Sequence, residues 1–346
     1  MGLLDDLEKA ATIADNLKEQ VEDVVDFFSG KSKSSSLAKD KKTRAFAAAR
    51  FYLELDGQKV GVITSVDGGN FKSEPIGEQV GGEGLVTRYP GRQKFEDITL
   101  QVGASMAPGF WKWIKASIGA SPERRAGAIV TCDFDGYERS RRTFSEALIS
   151  EVQFPGCDAK AKAPALVTVK IAVERLDYER QDAELAPMEA PITKQKMWLP
   201  RNYQLTLEKL DKETTKHVVK IDPISVKQQI IQNPVGREKW PRIEAGRVEF
   251  PTLSIHVPET YLKPWYEWWK KFVGEVEHDA QNETTGSIVY LASDCKTPLM
   301  TLGLSGVGIS TITFEKHETT SEALRIAKID LYTESVDFKE GKGTEG

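Results

Sequence analysis

Cysteine and histidine are scarce in this 346-residue chain. The three cysteines, Cys132, Cys157 and Cys295, are far apart and odd in number. That excludes a disulfide framework and a cysteine zinc signature, and it fits synthesis in a reducing compartment. Four histidines, His217, His256, His278 and His317, show no ligand spacing, so neither a metal nor another cofactor is expected. No apolar run approaches the roughly 20 residues that cross a bilayer. The first residues are acidic and hold no apolar signal core, so no secretory leader or membrane association is expected. The net charge of −5 is too small to argue for nonspecific nucleic-acid binding. G-x-S-x-G, H-E-x-x-H and C-x-x-C motifs are all missing, and no enzyme chemistry is expected.

What remains is an ordinary globular balance, 40% hydrophobic and 29% charged, in a length that favours two domains of roughly 100–200 residues each. Residues 1–29 stand apart. Leu3, Leu7, Ala10, Ala14, Leu17, Val21, Val24 and Phe28 alternate steps of four and three, the seam of an amphipathic helix. Gly30 stops it, and residues 30–43, rich in Ser and Lys, read as a linker. The helix either packs on its own domain or docks on a partner or its own copies. The polar tether favours docking through Leu3, Leu7, Leu17, Val21, Val24 and Phe28.

The rest of the chain repeats itself. FYLEL (51–55) answers YQLTL (203–207), RYP (88–90) answers KWP (239–241), and FEDITLQV (95–102) answers FPTLSIHV (250–257). FWKWIK (110–115) matches WYEWWK (265–270), GAIV (127–130) matches GSIV (286–289), and ALVTVKIAV (165–173) matches ALRIAKIDL (323–331). Six collinear blocks, 151 to 159 residues apart, argue for a duplicated domain. The expected boundaries are 44–178 and 197–338, with a charged, Pro-containing linker at 179–196 and a flexible tail at 339–346.

Most blocks alternate apolar and polar residues, as half-buried antiparallel strands do. One block per copy has helical spacing. Phe110, Trp113, Ile114 and Ser117 run between Pro108 and Gly119, and Leu262, Trp265, Trp269 and Phe272 run up to Gly274. The fold class is therefore mainly β: two tandem antiparallel barrels or sandwiches, each with one short helix.

Several motifs invite chemistry and fail. GLSGVG (303–308) lacks the Lys-Ser/Thr ending of a phosphate loop and falls in a strand region. GGEG (81–84) is weaker still. Asp133 and Asp135 flank a turn at Gly136, where a solvated hairpin explains them. Arg124, Arg125, Arg139, Arg141 and Arg142 could touch nucleic acid, though a solvated face or a neighbouring subunit's acids suits them better. Trp265, Trp268 and Trp269 could line a carbohydrate platform, but helical spacing fits a buried helix.

The run FYLELDG, VITSVDGGNFKSEPI, VTRYPGRQKFEDITLQVG, FWKWIK, GAIVTCDFDG and ALVTVKIAVERLDYE resembles the tail tube proteins of contractile phages and phage-like injection systems. The likeness covers about residues 44–180. The second copy follows more loosely, with PRIEAGRVEF in place of PGRQKF and the D-G turn lost. The resemblance implies a β-barrel whose copies join edge to edge into six-fold rings stacked as a hollow tube. Two copies per chain allow three chains in a pseudo-six-fold ring, or six chains spanning two layers. It also implies a long loop at about 72–94, carrying Gly77, Gly81, Gly82, Gly84 and Gly91, that reaches the adjacent ring. Lys220–Lys239 would be its counterpart.

Implied partners are further copies of the chain, neighbouring tube, baseplate or spike and cap components, the sheath, and DNA or protein cargo in the lumen. The implied place is a virion tail or assembled injection particle, synthesised in the bacterial cytoplasm, as tube or as a ring at its end (initiator or adaptor). The alternative is a two-barrel carbohydrate- or receptor-binding module.

Overall fold

The computed structural model describes residues 50–79, 86–119, 121–181, 198–234, 236, 240–274, 283–314 and 324–341. The expected docking helix, its linker and most of 179–196 lie outside them. Ala48–Gly346 forms one compact unit.

The first half runs β1 (Arg50–Leu55), β2 (Gln58–Gly68), β3 (Phe71–Gln79), β4 (Val86–Phe95), β5 (Ile98–Val102), α1 (Pro108–Ile118), β6 (Arg125–Cys132), β7 (Glu138–Phe154), β8 (Cys157–Asp158), β9 (Val167–Ala172) and β10 (Arg175–Arg180). The second runs β11 (Tyr203–Leu207), α2 (Lys212–Thr215), β12 (Lys220–Ile221), β13 (Ile224–Asn233), β14 (Arg242–Glu249), β15 (Leu253–Pro258), α3 (Lys263–Trp269), β16 (Thr284–Leu291), β17 (Pro298–Phe314), β18 (Ile326–Tyr332) and β19 (Ser335–Glu340). A 3-10 turn, Glu259–Tyr261, precedes α3, and a π turn, Lys270–Gly274, follows it. β19 continues two residues past the boundary expected at 338.

In the first half the antiparallel ladder passes from β7 through β6, β1, β2, β5 and β9 and returns to β7, closing a six-stranded barrel. Closure leaves no edge strand in that circuit, although β7 runs past the end of β6 and presents an edge at Glu151–Phe154. The alternation expected of half-buried strands is explicit in β5, where Ile98, Leu100 and Val102 are buried and the residues between are half-buried. Asp56 and Gly57 turn β1 into β2 with φ of 50° and 79°, the left-handed pair that an Asp-Gly hairpin requires. α1 buries Phe110, Trp113, Ile114 and Ser117 as its spacing predicts, and Trp111 as well.

The second half repeats the order β11-β16-β17-β18-β15-β12 but does not close. Among the described residues β11 and β12 are not paired. The D-G turn is gone, and Asp211 instead caps α2 by accepting from Thr214 N at 2.7 Å. A helical turn thus replaces the hairpin that would have joined those two strands. In this half the buried helical stripe is Leu262, Trp265, Trp268 and Phe272, while Trp269 is only partly buried.

The ladders also refine two block matches. Gly127 lies opposite Leu55, and Gly286 opposite Leu207, as GAIV and GSIV imply. Leu100 faces Val169 while Ile255 faces Ile329, so β9 answers β18 two residues later than the sequence blocks suggested. The hairpins β3–β4 and β13–β14 both bulge, at Ser73/Pro75 and Gln228/Ile230. Beyond those bulges Arg88 faces Gly77 and Ile243 faces Gln232. Residues 88–90 therefore answer 243–245 rather than KWP. Short loop motifs align by composition, whereas hydrogen-bond register is set by the strands beneath them.

Candidate assembly surface

The segment expected as a long loop at 72–94 is instead a hairpin, β3 paired with β4 from Phe71↔Phe95 to Gln79↔Val86. Gly77 lies in β3 and Gly91 in β4, while Gly81, Gly82 and Gly84 lie outside the described residues. A Cβ on Gly91 would collide with the Glu74 carbonyl, so the strands approach there as only glycine permits. Ser73 Oγ donates to Gly91 O at 3.0 Å, and Phe71 meets Phe95 edge-on with ring centroids 5.9 Å apart. Lys94–Glu74 and Lys72–Glu96 add surface ion pairs at 2.9 and 3.1 Å. Phe71, Ile76, Val86 and Tyr89 are nevertheless all exposed. An isolated two-stranded hairpin is marginal in water, and exposed apolar side chains gathered on one make it a candidate docking surface.

The equivalent hairpin of the second half shows what such a surface does when covered. β13 adds antiparallel to the edge of β7, with Ile224↔Phe154, Ser225↔Gln153, Val226↔Val152 and Lys227↔Glu151. The two halves thereby share one sheet. Gln153 Nε2 donates to Ser225 Oγ at 3.0 Å across the seam. Ile243 and partly buried Ile230 and Ala245 pack on Leu148 and Ala172. Arg124 Nη1 donates to Glu174 Oε1 at 2.8 Å, and that oxygen also accepts Ile243 N at 2.9 Å. Arg175 stacks over the Trp240 ring at 4.6 Å. From β19, Phe338 slots between Trp111 and Phe154, with centroids at 5.5 and 5.9 Å. Tyr290 of β16 donates to Pro155 O at 2.9 Å.

The arginines expected to face solvent or a neighbour are paired within the chain. Besides the contacts of Arg124, Arg125 bonds Asp56 at 2.6 Å, and Arg139 bonds Asp133 at 2.7 Å. Arg141 holds Glu138 and Glu54 together, and its guanidinium is driven further above the ordinary arginine range by those two carboxylates, Glu138 first. Arg142 donates to Gly68 O at 3.0 Å, and burial lowers its pKa. These side chains staple barrel strands, which removes the nucleic-acid reading. Asp133 is not solvated either. It is buried, accepts from Asp135 N and Tyr137 N at 3.0 and 2.9 Å, and has its pKa lowered by those bonds and Arg139 against the opposing effect of burial.

Trp265 and Trp268 are buried in the core and Trp269 is partly buried, so these three tryptophans do not form one exposed platform. GLSGVG lies inside β17, where Gly306 has φ of 61° and a Cβ on Gly308 would strike the Tyr332 ring. Its glycines serve conformation and packing. Cys132 and Cys157 are buried and Cys295 is exposed. Among the described residues no group of three or more His, Cys, Asp or Glu could hold a metal, and no helix is long and apolar enough to cross a membrane.

Residues 47–177 match a family described as T4-like virus tail tube protein gp19. Curated proteins give no match. Among solved structures, the chain is similar to one titled as the PVC sheath–tube complex of an extracellular contractile injection system in its extended state. That pair shares 20% identity over 43% of this chain and 98% of the other, with a TM-score of 0.36. An anti-feeding prophage tube-terminating cap matches at 21% identity over 42% and 99%, with a TM-score of 0.36. Hcp1 from Flavobacterium johnsoniae matches at 14% identity over 38% and 97%, with a TM-score of 0.26.

Proposed function

We propose that this chain, whose residues 47–177 carry the tail tube family's domain, is a non-enzymatic structural subunit of a phage tail or contractile injection apparatus. It forms the tube or a ring at its end. Two tube-like domains, 44–178 and 197–338, arose by duplication and occupy adjacent ring positions, so three chains make a pseudo-six-fold ring. The lumen passes DNA or a protein cargo. The β3–β4 end that carries Gly81, Gly82 and Gly84 reaches the adjacent ring, and residues 1–29, with the seam expected of an amphipathic helix, dock on a neighbouring component.

The observation that carries this reading is the addition of β13 to the edge of β7. One tube-like half completes its sheet with a strand from the next, within a single chain. Repeating that step between chains produces a ring, because a head-to-tail contact closes whenever its rotation divides the circle. Negative-stain microscopy of the purified chain is the test. Rings with a central hole are expected, and a chain that stays monomeric at high concentration overturns the proposal. Deleting residues 1–29 should leave rings intact and remove a partner in a pull-down from assembled particles. Loss of folding on deletion would instead make that helix part of the core.

A further inference from the structure

The second half presents, in empty form, the surface on which the first half receives a neighbour. The register of β7 maps onto β17. Phe144 faces Gly127 as Leu304 faces Gly286, and Glu151 faces Lys170 as Thr311 faces Asp330. Glu151–Phe154 therefore corresponds to Thr311–Phe314. The first segment carries β13 on its outer edge. The second pairs with β18 on one side and, among the described residues, with no strand on the other.

Side chains show the same contrast. Phe154 is fully buried, but its counterpart Phe314 is 60% exposed. Trp111 is 2% exposed, whereas Tyr266, at its place on α3, is 50% exposed. Between Phe314 and Tyr266 lies a groove of about 260 Å³, completed by Trp269, Ser310, Thr311 and Ile312. In the first half the matching slot is filled by Phe338 of β19. Phe338 faces Leu302 on β17, as Tyr178 of β10 faces Arg142 on β7, so Tyr178 is its counterpart. Tyr178 is 55% exposed. Among the described residues there is thus one slot filled by an aromatic, one slot with none in it, and one exposed aromatic of the kind that fills it.

Resting on the ring reading above, we propose that a second copy of this chain supplies the missing half of this contact. Its Tyr178 fills the groove between Tyr266 and Phe314, and its residues 69–72 add antiparallel to Thr311–Phe314. The hairpin registers place Lys72 at the position of Lys227, since each faces the matching residue of its partner strand, Lys94 and Glu249. Asn70 of one copy therefore meets Thr313 of the next, as Ser225 meets Gln153 within the chain. Charge agrees with this docking. Arg88 takes the place of Ile243, and Glu334 that of Glu174, so the incoming hairpin brings a cation to a carboxylate whose counterpart, Glu174, is paired with Arg124. Main-chain pairing supplies affinity and the aromatic slot supplies register, as in other strand-addition interfaces. Donor and acceptor surfaces differ, so the contact is head-to-tail and propagates to a closed ring.

The test places cysteines at Asn70 and Thr313 in one chain that also carries Cys295→Ser. Mild oxidation should give a ladder of covalent oligomers ending in a closed species, while either single cysteine gives none. Independently, Tyr178→Glu and Phe314→Ser alter exposed residues, so each variant should keep the parent melting temperature at a concentration too low for rings to form. Each should raise the concentration needed for ring formation by about tenfold or more. Rings that form normally in both variants and show no Asn70–Thr313 cross-link overturn this interface and leave the ring reading standing. The absence of rings from the parent chain at every concentration overturns the ring reading, and this interface with it.

Discussion

Ser150 and Ser310 occupy the same β-bulge in the two halves. Each hydroxyl donates to the carbonyl of the residue 20 positions on, Lys170 O at 3.2 Å and Asp330 O at 2.8 Å. The ladders skip a residue there, between Ile149 and Glu151 and between Ile309 and Thr311. Before the bulge, β7 and β17 are flanked by β6 and β16; beyond it those neighbours end. An extra residue bends the strand and increases its twist; the last four residues keep their pairing with β9 and β18 on one side, while their other edge lies past the ends of β6 and β16. The freed edge is the one that β13 occupies in the first half. A local backbone irregularity, repeated in both halves, thus marks the point beyond which that edge is open to a further strand.

A second irregularity lies a few residues earlier, where Glu146 has φ of 53° and Gly306, in the same position, has φ of 61°. A side chain in that left-handed region costs roughly 1–2 kcal/mol. The first half tolerates it on an exposed glutamate whose ion pair with Arg124, at 3.3 Å, is worth little at the surface. Glu146→Gly should therefore raise the unfolding free energy by about 0.5–1 kcal/mol, and Gly306→Ala should lower it by about 1–2 kcal/mol. Urea unfolding of both variants checks this, and a destabilised Glu146→Gly would contradict it.

Glu174 joins the halves through Arg124 and the Ile243 amide, with only 8% of its side chain exposed. Removing the carboxylate leaves that buried amide and part of a guanidinium without a partner. Glu174→Ala should cost about 2–3 kcal/mol, and amides along β13 and β14 should exchange faster than those of β1 and β2. Glu334→Ala, at the matching place in the second half, should stay within about 0.5 kcal/mol of the parent. Equal losses in the two variants would refute the assigned role.

The barrel was legible because its signals are local. Ile98, Leu100 and Val102 alternate, Asp56-Gly57 declares a hairpin, and Pro108 and Gly119 bracket α1. The aromatic slot was not legible. Phe338 reads as an ordinary strand residue until β19 lies against Trp111 and Phe154, and only tertiary packing distinguishes it from Tyr178. The arginines misled for the same reason. Arg141 looks like a surface cation in sequence, yet its partner Glu54 lies 87 residues away on another strand. Trp268 rather than Trp269 faces the core; steps of three and of four from Trp265 both fall on that side of the helix, so spacing alone does not choose between them.

Thiol chemistry offers a simple check of the packing. Burial pushes the pKa of Cys132 up to about 11 and that of Cys157 up to about 12, and only Cys295 is exposed. The reactive species is the thiolate. At pH 8 one thiol per folded chain should react with an aromatic disulfide reagent, and three should react in denaturant. Cys295→Ser should abolish the native reaction. Rapid native labelling of a second thiol would show that one of the two buried sites opens.

Acid should act on the turn that joins β16 to β17. Asp294 accepts from the Thr297 hydroxyl and from the amides of Thr297 and Lys296, the amides both at 2.9 Å, and these bonds lower its pKa to about 2. An unfolded aspartate titrates near 3.9. The folded state therefore binds this proton less readily, so the contribution is complete above about pH 4 and fades as pH falls toward 2. Asp294→Ala removes it at every pH. The gap between the urea midpoints of parent and variant should be constant from pH 7 to 5, narrow below pH 4, and nearly vanish at pH 2. A gap of unchanged width at pH 2 would mean that Asp294 holds the turn by packing rather than by charge.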